Sequence, residues 1–197
     1  DDADESDGVR FLVMEYVEGI TLAKLVHQQG PLSTMQAVRC ALDVARGMKY
    51  AHGEGVTHRD IKPSNLLIDR SGTVKILDLG LARVESRRWS QPESPALGEE
   101  VIGTADYMAP EQTLELTRAD HRSDIYSLGI TLWFLLSGRP PFQKESITDK
   151  MRAHQVRPLP PLVNLRSDLP AELDRVVATM AAKAPENRYQ SMAEVVS

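Results

Sequence analysis

The chain has 197 residues, 42% of them hydrophobic and 26% charged, with a net charge of -5, so one substantial core is expected and a nucleic-acid-binding surface is not. Its one cysteine, Cys40, excludes an internal disulfide; it sits in a helical pattern as a buried thiol and suits a reducing, cytoplasmic compartment. The longest apolar run, Ile130 to Leu136, is far short of the roughly 20 residues of a membrane span and reads as a buried core helix; no signal peptide precedes it, and the missing initiator Met points to a trimmed or partial chain.

Asp1 to Gly8 is a charge run that reads as a solvated loop. Phe11 to Tyr16 is short, apolar and β-favouring, and Gly19 breaks it before Thr21 caps a short helix from Leu22 to His27. Gly30-Pro31 ends that helix. Ser33 opens a long one in which Met35, Val38, Leu42, Ala45, Met48 and Tyr50 recur at helical spacing up to His52. Two small strands, Leu66 to Ile68 and Thr73 to Ile76, flank an Asp69-Arg70-Ser71-Gly72 turn and make a hairpin. Leu81 to Ile102 has no periodicity and reads as a long loop. Helices follow at Ser123 to Ser137, Ser146 to Gln155 and Pro170 to Lys183, with a Pro-rich connector at Pro158 to Pro161 and a last helix that opens at Ser191 and is truncated by the chain end. A few strands followed by many helices argue for an α+β fold.

The chemistry concentrates in His58-Arg59-Asp60-Ile61-Lys62-Pro63-Ser64-Asn65 and Asp78-Leu79-Gly80. Asp60 lies in a loop between the long helix and the hairpin, where a carboxylate can take the proton of a substrate hydroxyl. Lys62 would put positive charge beside a transferring phosphoryl group. Asn65 offers a neutral oxygen and Asp78, thirteen residues on, a charged one, the hard ligands that Mg²⁺ prefers (Mn²⁺ is an alternative). His27, His52, His121 and His154 show no metal-ligand spacing.

Together these residues match the signature of protein-kinase catalytic and metal loops. The sequence resembles the C-terminal lobe of a eukaryotic-like serine/threonine protein kinase of bacterial type, over almost its whole length. The resemblance implies a protein-kinase-like fold, a mainly α-helical lobe with a small hairpin at the catalytic loop, in which residues 1–20 end the N-lobe and form the hinge and 21–197 form the C-lobe. It implies ATP as phosphoryl donor and a protein substrate. Met14 would gate the adenine pocket, Glu15 to Val17 would hold adenine through backbone groups, and Leu67 would be an apolar contact beneath the ring. Gly103 to Met108 resembles the loop facing the substrate, with Thr104 bonding Asp60 and Lys62 and so favouring Ser or Thr over Tyr as acceptor. Arg59 would be the arginine that receives a phosphorylated loop, for which Ser86, Ser90 and Ser94 are candidates. His58 and Leu79 would be structural members of their motifs. Glu111 of Ala109-Pro110-Glu111 would pair with Arg188. Asp124 has two readings, a helix cap or an acceptor of backbone hydrogen bonds from the catalytic loop.

The family also holds the ATP phosphates with a glycine-rich loop and a strand lysine paired to a helix glutamate. None of the three is present: Gly8 and Gly19 are isolated and Lys24 follows the hinge. The chain alone is therefore expected to be weak or inactive, the N-lobe belonging to a longer parent that a membrane anchor outside this segment could tether. Two competing readings are a pseudokinase or docking module without phosphoryl transfer and a small-molecule phosphotransferase. Retention of Asp60, Lys62, Asn65 and Asp78 disfavours the first, and Ala109-Pro110-Glu111 the second.

Overall fold

The computed structural model describes residues 2–6, 9–13, 15–77, 103–114, 119–143 and 146–197. The first departure from the sequence reading is at the start, where Asp2–Ser6 is a strand (β1) rather than a solvated loop. It pairs antiparallel with Val9–Val13 (β2), in register from Asp2 opposite Val13 to Ser6 opposite Val9. Backbone pairing is indifferent to side-chain charge, and acidic residues are tolerated on an edge strand. β2 also lies earlier than the run Phe11 to Tyr16, since residues 15–18 are irregular.

The expected hairpin is one strand larger. Gly19–Thr21 (β3) pairs antiparallel with Leu66–Asp69 (β4), which pairs antiparallel with Val74–Ile76 (β5), giving the order β3-β4-β5. Three-residue strands carry almost no periodicity, so β3 is invisible in sequence. Its glycine is required by close approach: a Cβ at Gly19 would lie 2.4 Å from the Ile68 carbonyl oxygen and 2.4 Å from Leu67 Cδ2.

Thr21 then caps α1 (Leu22–Gln29), its Oγ1 accepting from the Lys24 N–H at 3.3 Å. Ser33 and Gln36 form a reciprocal capping box at the start of α2 (Thr34–Gly53). The buried stripe of α2 is Ala37, Cys40, Ala41, Val44, Ala45, Met48 and Ala51. Met35 and Tyr50, expected on that stripe, are 82% and 75% exposed. Each stands two residues, or about 200°, from a stripe member, which puts it on the opposite face at 3.6 residues per turn.

Downstream lie α3 (Pro110–Leu114), α4 (His121–Ser137), α5 (Ile147–Val156), α6 (Ala171–Met180) and α7 (Met192–Val196). α4 is the central element: from Ser123 to Leu136 all of its side chains are buried except Phe134, and it packs against both α2 and α6. A Cβ at Gly129 would come within 2.7 Å of Met180 Cβ, so that glycine sets how closely α4 and α6 approach. The helix begins two residues before Ser123, and its cap is Asp120, which accepts from the Arg122 N–H at 2.8 Å. α6 stops at Met180 rather than running to Lys183: Ala181 has already left helical geometry, with φ of -93° and ψ of 19°, and the carbonyls of Ala182 and Lys183 accept from Arg188 at 2.7 and 3.0 Å. Cys40 belongs to the core, and burial, together with Asp43, raises its thiol pKa. Among the described residues no helix is long and apolar enough to cross a membrane.

Candidate active site

The loop between α2 and β4 carries Asp60, Lys62 and Asn65, and a tight set of hydrogen bonds fixes it. Lys62 Nζ lies 2.8 Å from Asp60 Oδ2 and donates to Thr104 Oγ1 at 2.6 Å. Asn65 Nδ2 donates to Asp60 Oδ2 at 2.8 Å and to the Asp60 carbonyl at 2.9 Å. Four residues separated by up to 44 positions in sequence are thereby joined around one carboxylate. Because both amide hydrogens of Asn65 are committed to Asp60, its Oδ1 is left as the oxygen available to a cation.

The backbone beneath this cluster is strained and then held. Arg59 has φ of 66°, a left-handed conformation that costs a non-glycine residue on the order of 1 to 3 kcal/mol. The fully buried Asp124 holds it in place: Oδ1 accepts from the Arg59 N–H at 2.7 Å, and Oδ2 from the His58 N–H at 2.9 Å and from His52 Nε2 at 2.9 Å. The cap reading of Asp124 is overturned, since Asp120 occupies that place. Gln112 supplies a further tie: its Nε2 donates to the Arg59 carbonyl at 2.8 Å and its Oε1 accepts from the Ala109 N–H at 3.0 Å.

The buried His58 ring links the loop to the strand beyond it. Nδ1 accepts from the Asp60 N–H at 3.2 Å, so Nε2 carries the proton donated to the Leu77 carbonyl at 2.9 Å. The Leu77 N–H donates in turn to the Asn65 carbonyl at 2.8 Å. Both backbone polar groups of Leu77 are thus anchored by catalytic-loop residues.

Glu111, at the start of α3, meets Arg188 as a bidentate pair at 2.7 and 2.8 Å, and Ser123 Oγ donates to Glu111 Oε1 at 2.7 Å. Burial alone would raise the Glu111 pKa; the Arg188 hydrogen bonds and charge, with Ser123, bring it net below the ordinary carboxylate value. The guanidinium also lies 4.9 Å from the centre of the Tyr126 ring.

Among the remaining expected site residues, Glu15 is exposed and Val17 half-buried in the segment leading into β3, and Leu67 is half-buried on β4 opposite Thr21. Met14, Asp78, Leu79, Ser86, Ser90 and Ser94 lie outside the described residues. Arg59 is half-buried, and its guanidinium NH2 donates to the Ala119 carbonyl at 3.4 Å. Sequence reasoning missed Gln112 and the role of His52. Gln112 carries no motif signal, and the spacing of His52 says nothing beyond the absence of a metal-ligand pattern.

Residues 2–197 match the family model described as protein kinase domain. The chain belongs to that family. Serine/threonine-protein kinase PknB of Mycobacterium tuberculosis is 40% identical over 186 residues, which cover 94% of this chain and 29% of that protein. PknB of Mycolicibacterium smegmatis gives the same identity and coverage: 40% identity, 94% of this chain and 29% of that protein. The chain therefore spans about three-tenths of the length of these relatives. In fold it is similar to the crystal structure of Rad53 1-466 in complex with AMP-PNP, with a TM-score of 0.78 and 24% identity, covering 100% of this chain and 48% of that one.

Protein kinases use ATP and a divalent metal and act on protein substrates. Among the described residues no group of three or more His, Cys, Asp or Glu side chains could hold a metal ion. Kinase Mg²⁺ is bound through one or two protein oxygens plus substrate phosphates, and the side-chain Oδ1 of Asn65 fits that need.

Proposed function

We propose that this chain is the acceptor- and metal-binding part of a serine/threonine protein kinase, with residues 1–20 ending the smaller lobe and forming the hinge and 21–197 forming the larger lobe. The observation that carries this reading is the sharing of Lys62 between Asp60 and Thr104. In the proposed reaction the acceptor hydroxyl donates to the Asp60 carboxylate, which orients it for in-line attack and receives its proton. Lys62 stands where charge develops on the transferring phosphoryl group, and Thr104 fixes the lysine's direction. Asn65, with Asp78, would hold Mg²⁺ or Mn²⁺, which when bound neutralises charge on the ATP phosphates. Glu15 to Val17 and Leu67 would contact the adenine, with Met14 at its edge, in a pocket completed by the smaller lobe of the longer protein. Arg59 would receive a phosphate placed on Ser86, Ser90 or Ser94.

A purely docking role has no use for a lysine committed to both a carboxylate and a hydroxyl, or for a strained arginine backbone held by a buried aspartate. The test is transfer of labelled phosphate from ATP to a generic protein substrate by the full-length protein, with Asp60→Asn as the control. Loss of a positioned base is expected to lower the rate about 10²- to 10⁴-fold while leaving the fold intact. An Asp60→Asn variant at full rate would refute the assignment.

A further inference from the structure

Thr104 stands at the acceptor centre, and the segment that follows it is fixed at several points. The Tyr107 N–H donates to the Thr104 carbonyl at 3.1 Å, the Tyr107 carbonyl accepts from Ser127 Oγ at 2.9 Å, and Ala109 is held by Gln112. One further contact comes from outside the central helices. Asp106, two residues after Thr104, forms an ion pair at 2.6 Å with Lys150 of α5, and the two residues are 9% and 7% exposed.

α5 does not need this pair in order to stay attached. The His154 ring accepts from or donates to the Tyr126 hydroxyl at 2.8 Å and meets the Phe142 ring edge-on, with centroids 4.9 Å apart. Gln155 Nε2 donates to Thr113 Oγ1 at 2.7 Å. A buried ion pair adds little net stability over apolar residues of the same size, because desolvation of both charges offsets their attraction. What such a pair does supply is direction: a short contact between two charges fixes where each backbone sits. Here one of those backbones carries Thr104.

We propose that Lys150 and Asp106 are a positioning pair for the phosphoryl acceptor, holding residues 104–108 so that Thr104 meets Lys62, itself paired with Asp60, and a Ser- or Thr-containing peptide can bind beside them. The proposal rests on the kinase reading above. It assigns to α5, a helix outside the catalytic loop, control over acceptor affinity but not over nucleotide affinity, since Glu15 to Val17 and Leu67 lie in other elements. Lys150→Met leaves Asp106 buried without its partner and frees the segment. Lys150→Arg retains the charge and the pair.

The experiment is steady-state kinetics of the full-length protein with ATP, Mg²⁺ and a serine peptide, for wild type, Lys150→Met and Lys150→Arg. Lys150→Met is expected to raise the peptide KM about 10-fold with the ATP KM within about twofold, and Lys150→Arg to recover most of the loss. Hydrogen exchange on the same proteins adds a readout that does not depend on turnover. Amides within 103–109 should exchange about 10-fold faster in Lys150→Met while those of 121–137 stay unchanged. A peptide KM unchanged by Lys150→Met, or faster exchange to the same degree in both segments, would overturn the positioning role alone. Absence of transfer by the wild-type protein would sink the kinase reading and the acceptor role together.

Discussion

Arg188 places all five of its N–H donors inside the protein, two of them on the two oxygens of Glu111 at 2.7 and 2.8 Å and the others on the carbonyls of Ala182, Arg122 and Lys183. The pair closes the α3 end of the acceptor segment against α4 and the turn after α6. Glu111→Gln strands Arg188 as a buried charge and is expected to cost on the order of 3 to 5 kcal/mol, while Arg188→Met leaves the half-buried Glu111 unpaired and is expected to cost toward the lower end of that range. Urea unfolding of each variant measures this, and a loss below about 1 kcal/mol would show that the pair is replaceable.

His154 is fully buried, and burial, with the nearby Lys183 charge, pushes its pKa down from 6.5 to about 3. The native state thus holds the ring neutral where the unfolded chain would protonate it, so stability is full above pH 6.5 and falls as pH drops from there toward about 3. At pH 5 the loss from this group is about 2 kcal/mol relative to pH 8. Denaturation of wild type and His154→Gln at several pH values checks the sign: the variant should show a flatter profile between pH 5 and 7.

Gln112 ties the Arg59 carbonyl to the Ala109 N–H. Gln112→Leu keeps much of the volume but leaves both backbone groups without their side-chain partner, at an expected cost of about 1 to 3 kcal/mol. Because one of those groups belongs to the strained Arg59, the same variant should lower phosphoryl transfer by more than a surface control. Equal activity in the two would place Gln112 outside the catalytic support.

Thr104 contributes a hydroxyl to Lys62 at 2.6 Å. Thr104→Ser retains the acceptor oxygen and is expected to keep activity within a few-fold, whereas Thr104→Val removes it at nearly constant volume and should lower kcat/KM by about 10-fold or more. A valine variant as active as the serine one would show that the Lys62 direction is set elsewhere.

Much of the catalytic centre could be read from the chain because its parts are local. Asp60, Lys62 and Asn65 fall within six consecutive residues of one loop, where spacing alone specifies reach, and the capping box at Ser33 and the Asp69 turn are likewise written in adjacent residues. Strand β1 was not legible, because ladder hydrogen bonds recruit an acidic segment without asking for an apolar pattern.

The sequence by itself determined the loop that holds the acceptor carboxylate, the helices that frame it and the family to which both belong. Only the tertiary structure decided what holds that loop in shape. Asp124 lies 65 residues from Arg59 and Gln112 lies 53 from Arg59, and the Lys150 charge that meets Asp106 stands on a helix whose local pattern names no partner. Short-range spacing is encoded in the covalent chain, but a buried charge or amide finds its partner through the packing of whole elements, and that choice is made only when the core closes.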